Sequence, residues 1–403
     1  MGADQHSGYV MAFNFPSSPT EGQVYIPPNP TNGAPVYKYT AGEWARVTGT
    51  ALPRNRLVNG SLIVSIQNGD ADGTMSNQNS NITIADNVVG GINSGGAVRV
   101  QRVESATPRG SKYRGRITIN TADTNMSGSE ILWFGMIGNV LEGNRFSDFQ
   151  YGTTSAKYSV LRFGFKAPQG LYSLTLRNND NTRSFVMSFT ITAAQSNTDT
   201  EWVFVIPGCT TGTWASDTTR YAHIYWSMAN ATTQGTKDTW VSANNMAYTG
   251  QVNGFATVGN VFEIFDVGWY LDPNITGQPP EFQSDNYEDN IKDIQRVYDK
   301  IQGSVGVATS ATIAYRLAQP LPVPMRISPA AMSMFGTLKI WNPNQGHVNV
   351  TTFAAGPLVA EHVATQTLTA STATLTIGMA VPATIFTGYP DYNGAPCCVV
   401  DAR

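Results

Sequence analysis

Between residues 52 and 280 the 403-residue chain is dense in short runs whose apolar side chains recur at every second position. Leu161, Phe163 and Phe165 share one face of the run from Ser159 to Lys166. Tyr172, Leu174 and Leu176 share one face of the run from Leu171 to Arg177, and Pro168-Gln169-Gly170 turns the chain between the two. Asn178-Asn179-Asp180-Asn181 makes the next turn, after which Phe185, Met187, Phe189 and Ile191 line a third run. Trp202, Phe204 and Ile206 continue the pattern, as do Ile117 with Ile119 and Leu132 with Phe134. Period two gives each strand one buried face. About ten such strands at short spacing predict two antiparallel sheets packed face to face, a β-sandwich with Phe163, Leu174, Phe189 and Phe204 in its core.

Two shorter blocks flank this one. Residues 1–51 hold a Pro-rich stretch through Pro35, followed by Val36 to Tyr39 and Trp44 to Val47 around Ala41-Gly42, the turn chemistry of a small hairpin. With few apolar residues beyond its aromatics, this block cannot build its own core; it reads as an adaptor module or as an ordered arm on the next domain. Residues 281–403 open on the one strong helical signal. From Asp285 to Gln302, the residues Tyr287, Ile291, Ile294, Tyr298 and Ile301 are spaced four, three, four, three. Asp285 with Glu288 makes a capping-box pattern, and Gly303 is placed to end the helix. The spacing suits a coiled-coil seam, with Ile291 and Ile294 buried between copies of a homotrimer, or a single helix packed on a neighbouring sheet. From Ser304 the chain is β-like again. The expected organisation is therefore an N-terminal β module (1–51), a central sandwich (52–280) and a C-terminal helix plus β domain (281–403).

Composition narrows the partners. Charged residues make up 13% of the chain, against about 25% in an average soluble domain. Ser, Thr, Asn, 38 Gly and 22 Pro take their place, a mixture that favours strands joined by tight turns. A net charge of −3 without a basic run implies neither nucleic acid nor an anionic membrane as partner. No apolar stretch approaches the ~20 residues of a membrane span, and Met1 to Val10 lacks the pattern of a secretory signal. Cys209, Cys397 and Cys398 form neither a disulfide framework nor a zinc site, and read as unpaired thiols.

Catalytic chemistry is sparse. His6, His223, His347 and His362 are scattered without metal-ligand spacing, and there is no nucleophile elbow, phosphate loop or dinucleotide fingerprint. The carboxylates form no recognisable acid–base pair. Asn68-Gly69-Asp70-Ala71-Asp72-Gly73 copies the first half of a calcium loop, but its twelfth position is Asn79 rather than Glu, so a Gly-rich surface turn is the better reading. No catalytic, cofactor-binding or metal-binding residue is assigned, and no enzyme is expected. The positive signal is aromatic: exposed rings offer flat apolar faces on which sugar rings stack. Trp226 and Trp269 sit in strand-like runs that suit the core. Trp214 and Trp240, with Tyr221, Tyr225 and Tyr248 nearby, are the better surface candidates.

Several short motifs carry a resemblance. Met136-Ile137-Gly138-Asn139-Val140-Leu141-Glu142-Gly143, followed by Leu161-Arg162-Phe163-Gly164-Phe165-Lys166-Ala167, resembles a pattern of jelly-roll domains in phage appendage proteins, domains similar to carbohydrate-binding modules. The usual Gln before Ile-Glu-Gly is absent here, and Leu141 stands for the Ile. Asn55-Arg56-Leu57-Val58-Asn59-Gly60 resembles the lead-in to the same domains. Phe15-Pro16 through Tyr25, with the Trp44 hairpin, is similar to a short N-terminal module of phage tail proteins. Ile294-Gln295-Arg296-Val297-Tyr298 and Leu321-Pro322-Val323-Pro324-Met325-Arg326 are similar to segments of fibre C-terminal domains.

The resemblance touches all three blocks and implies a fibre-type structural protein of a tailed-phage virion, assembled in the host cytoplasm. It would contact other virion proteins through the N-terminal module and host-surface polysaccharide through the sandwich or the C-terminal domain. The other implied role is architectural, a collar, neck or capsid-decoration subunit. A depolymerase spike would show repeated β-helix rungs, which this sequence lacks.

Overall fold

The computed structural model describes residues 14–26, 36–76, 80–232 and 234–296, and beyond these the backbone of nine strands between Tyr298 and Asp401. Strands β1 (Val24–Tyr25), β2 (Tyr37–Thr40) and β3 (Glu43–Arg46) form a small antiparallel sheet. The central region runs through β4 (Gly73–Ser76), β5 (Ser80–Ala85), β6 (Val88–Asn93), β7 (Ala97–Glu104), β8 (Tyr113–Thr121) and β9 (Ile131–Met136). It continues with β10 (Ser159–Lys166), β11 (Gly170–Asn178), β12 (Ser184–Ile191), β13 (Thr200–Ile206) and β14 (Ala222–Asn230). Three short strands, β15 (Gln234–Gly235), β16 (Trp240–Val241) and β17 (Ala247–Tyr248), precede β18 (Val261–Leu271).

Of these central strands, all but β15 and β17, which pair with each other in parallel, form two antiparallel sheets, six-stranded in the order β13-β10-β18-β8-β7-β4 and seven-stranded in the order β16-β12-β11-β14-β9-β6-β5. The protein is an all-β sandwich, as the alternation predicts. Phe163 and Phe204 come from the first sheet, Leu174 and Phe189 from the second, and all four are at most 4% exposed. The Phe163 and Phe189 rings meet across the interface at 5.4 Å. Trp226 and Trp269 are fully buried in the same core. Each such large apolar side chain contributes roughly 1.5–3 kcal/mol by leaving water.

The lead-in motif ties the chain to the sandwich. Asn55 Oδ1 accepts from the Leu57 and Trp269 amides while its Nδ2 donates to Val267 O. Asn59, at φ 62°, donates from Nδ2 to Val64 O and Asp86 O. Gly60 lies so close to the Val267 carbonyl that any Cβ would collide with it. The motif's specificity is thus a matter of backbone approach.

The N-terminal sheet clusters Phe15 against Tyr25, Tyr37 and Trp44, with Phe15 and Trp44 stacked at 5.2 Å. Its buried Val36, together with Ala51, packs on the outer face of the six-stranded sheet at Val160, Val203, Val205 and Tyr270.

The helix α1 spans Tyr287–Gln295, shorter than the Asp285–Gln302 expected. Tyr298–Ile301 is a strand, so Tyr298 and Ile301 are not on the helix. The N-cap is Asn286, whose side chain accepts from the Glu288 amide. Asp285 is diverted to the Ser61 amide and hydroxyl. Ile294 is 1% exposed among Val58, Val64, Ile66 and Val140 of its own chain, and the half-buried Ile291 joins the same cluster. This corrects the seam reading for Ile294, which is buried within its own chain, while Tyr287 on the same helix is 46% exposed.

Six C-terminal strands, Val305–Ala308, Ile313–Pro320, Thr337–Asn342, Gly346–Ala360, Val363–Ala370 and Ala380–Phe386, close into a barrel. Met1 to Val10, His6, Asn79, Gly303, the Leu321-to-Pro329 motif, His362 and Cys397 lie outside the described residues.

Candidate functional site

Sheet parity puts a second set of side chains on the outer face of the seven-stranded sheet. On β9, Leu132 and Phe134 are fully buried in the core, so Trp133 between them points out. Trp133 pairs with Gly91 of β6 across one side and Ser227 of β14 across the other. A Cβ on Gly91 would collide with Cε2 and Cζ2 of the indole, and one on Gly135 would lie 2.5 Å from its Cζ3. The indole thus occupies the space of two missing side chains. It lies low against the sheet, half-exposed, with the Tyr225 ring at 5.2 Å and an interplanar angle of 77°.

The next positions across the sheet are polar. Tyr225 faces Thr175 of β11, and His223 faces Arg177. The Arg177 guanidinium sits 5.2 Å from the Tyr225 ring centroid, and the Tyr225 hydroxyl is 3.2 Å from His223 Nδ1. Burial, reinforced by the charges of Arg220 and Arg177, pulls His223 down to about 3, so the imidazole is neutral at physiological pH. Burial also lowers the pKa of Arg177, partly offset by Tyr225. The segment between β14 and β18 folds over the same outer face at β11 and β12. Its Tyr248 amide donates to Ser173 Oγ and its Asn245 amide to Ser184 Oγ. Trp133 is the partly exposed member of this set, an aromatic face on which a sugar ring can stack, while Tyr225, His223 and Arg177 are buried beside it.

The two tryptophans favoured by the sequence come together elsewhere. Trp214 and Trp240 meet edge-on at 5.5 Å, at the margin of the core, beside Tyr151. Both are half-buried, and both indole N–H groups are already used: Trp214 donates to Thr211 O and Trp240 to Pro207 O. Tyr221 is buried beneath Trp214, 4.9 Å between rings. They form the edge of the core more than an open surface.

The calcium-like turn is committed to arginines, Asp70 to Arg102 at 2.5 Å and Asp72 to Arg99. Cys209 is a free buried thiol whose pKa burial pushes up. Among the described residues, no group of His, Cys, Asp or Glu side chains is arranged to hold a metal ion, and no helix is long and apolar enough to cross a membrane.

No protein-family model matches the chain, and no curated protein matches it. Among solved structures, it is similar to the enzymatically active domain of tailspike protein 4 of bacteriophage CBA120, at 11% identity and TM-score 0.28. That match covers 54% of this chain and 21% of the tailspike chain. It is also similar to the family 11 carbohydrate-binding module of the Clostridium thermocellum cellulase Lic26A-Cel5E, at 11% identity and TM-score 0.24, covering 50% of this chain and 95% of the module.

Trp133, Tyr225, His223 and Arg177 were within reach of the sequence. Once Leu132 and Phe134, or Leu174 and Leu176, are assigned to the core, the residues of opposite parity must face outward. A Trp, a Tyr, a His and an Arg in that phase, with Gly91 and Gly135 available to accommodate the Trp, were the signal.

Proposed function

We propose that this protein is a non-catalytic glycan-binding subunit of a tailed-phage virion appendage, and that it holds polysaccharide on the outer face of the seven-stranded sheet. The observation that carries the reading is the Trp133 indole laid over Gly91 and Gly135. A half-exposed ring held flat on a rigid sheet is a stacking surface that needs little ordering to bind. The order of the appendage-like motifs along the chain supports the virion role, with the N-terminal module as the attachment to other virion proteins. Single-site affinity through one or two rings is modest, so adhesion draws on several copies. A homotrimer is the arrangement the fibre resemblance implies, with Ile294 taken up inside its own chain.

Trp133→Ala tests this reading. Purified wild-type protein is expected to adsorb to host cells and to their isolated capsule or lipopolysaccharide. The variant should bind at least tenfold more weakly, a loss of about 1.4 kcal/mol, and keep the wild-type far-ultraviolet circular dichroism, because Trp133 lies outside the core. Incubation with the same polysaccharides should release no new reducing ends. Wild-type protein that joins particles yet adsorbs to no host glycan would point instead to a collar or decoration role.

A further inference from the structure

The outer face of the seven-stranded sheet holds a charge that the fold leaves uncompensated. Four arginines of the described residues are buried: Arg56, Arg114, Arg162 and Arg177. Arg56 pairs with Asp148, Arg114 with Asp199 and Glu263, and Arg162 with Glu201. Arg177, 5% exposed, has no carboxylate partner among the described residues; its Nε makes no hydrogen bond, and its neighbour is the face of Tyr225. Two adjacent polar atoms share this state. Thr175 Oγ1, two residues along the same strand, and His223 Nε2, on the residue directly across from Arg177, are both buried without a partner. Arg220 adds a second positive charge nearby, with its Nε on Asn179 and Nη1 on Ile137 O. An unpaired buried cation and unsatisfied buried polar groups are costly, and they persist where a ligand completes them.

We infer that the guanidinium of Arg177, which lies against the Tyr225 ring, is the subsite for the carboxylate of an acidic sugar seated on Trp133. The inference rests on the glycan-binding reading above and names its ligand class: polysaccharides bearing uronic acids. The guanidinium fork matches a planar carboxylate in two parallel hydrogen bonds. Trp133 on β9 and Arg177 on β11 are separated by β14 alone. Arg177 is four residues further along β11 than Ser173, which lies across β14 from Trp133, but the Tyr225 ring spans the offset: its centroid is 5.2 Å from both the Trp133 ring and the Arg177 guanidinium, within reach of the same or neighbouring sugar units.

The test is a bacterial glycan array probed at about 0.15 M salt, where the Debye length is ~8 Å and long-range attraction is screened. The best acidic binders are then compared with the same glycans after reduction of their carboxyls to hydroxymethyl groups. Full-length wild type, Arg177→Gln and Trp133→Ala are run in parallel. Wild type should favour uronic-acid glycans and lose at least tenfold on carboxyl reduction. Arg177→Gln should bind acid and reduced forms alike, and Trp133→Ala should weaken both. Arg177→Gln should also melt at or above the wild-type temperature without ligand, since it removes an unpaired buried charge. Trp133-dependent binding that ignores carboxyl reduction or Arg177 overturns the subsite and leaves the glycan reading standing. Absence of any Trp133-dependent binding overturns both. A marked fall in melting temperature of Arg177→Gln would assign the arginine to structure and overturn the subsite as well.

Discussion

His223 sits between Arg177 and Arg220 with its Nδ1 against the Tyr225 hydroxyl, and this crowding has a consequence for stability. Its folded-state pKa lies near 3, whereas an unfolded histidine titrates near 6.5. Between these values the unfolded chain binds a proton that the folded chain refuses. Stability is therefore fully present above about pH 6.5 and falls as pH drops towards 3, by at most ~1.4 kcal/mol per pH unit. In His223→Gln this contribution is gone. The difference in unfolding free energy between pH 7.5 and pH 5.0, from urea titrations, should be roughly 2 kcal/mol smaller in the variant than in wild type. A second residue-scale expectation concerns the glycine beneath the platform. Gly91→Ala forces the indole off the sheet, so glycan retention should fall about as far as in Trp133→Ala while the near-ultraviolet signal of the buried tryptophans is unchanged.

At the scale of elements, α1 is the clearest case of a pattern that fitted two outcomes. Its apolar residues suit a seam between copies, yet Ile294 fills a space among Val58, Val64, Ile66 and Val140. Polar contacts hold it there: Asn290 Oδ1 accepts from the Asn59 amide, and Arg145 pairs with Asp293 at 2.8 Å. Ile294→Ala should cost about 2–4 kcal/mol of stability, as cavity-forming core truncations do, and leave the mass measured by light scattering unchanged. The strands were far more legible than this helix. In β10 to β13 the alternation named both the element and its inward face, because one buried face per strand is a local property. Pairing is not local. Nothing in the alternation says that β14 lies between β11 and β9, yet that neighbourhood brings Arg177, Tyr225 and Trp133 together. Trp214 and Trp240 occupy loop positions that suggest a surface, and tertiary packing draws both into the edge of the core. The spacing of α1 ran on to Ile301 in the sequence, whereas from Tyr298 the backbone is already a strand.

For the whole molecule, the decisive feature is that the two outer faces of the sandwich have different occupants. The six-stranded sheet is covered in part by the N-terminal module, through Val36 and Ala51 on Val160, Val203, Val205 and Tyr270. The seven-stranded sheet carries Trp133 and Arg177 on the opposite side. A particle holding the protein by its N-terminal module would therefore present the candidate site outward. The β2–β3 turn at Ala41-Gly42 is exposed, and both residues have positive φ, so it is a natural place for a capture peptide. Protein immobilised through a peptide inserted there should bind host polysaccharide with the affinity it has in solution when copies are sparse. At high density the second contact becomes intramolecular, and apparent affinity should rise by about 10²–10⁴. Biolayer interferometry at two capture densities reads both quantities, with Trp133→Ala as the blank. Loss of binding on capture through that turn, in a protein that binds when free, would place module and site on the same side and remove the outward presentation.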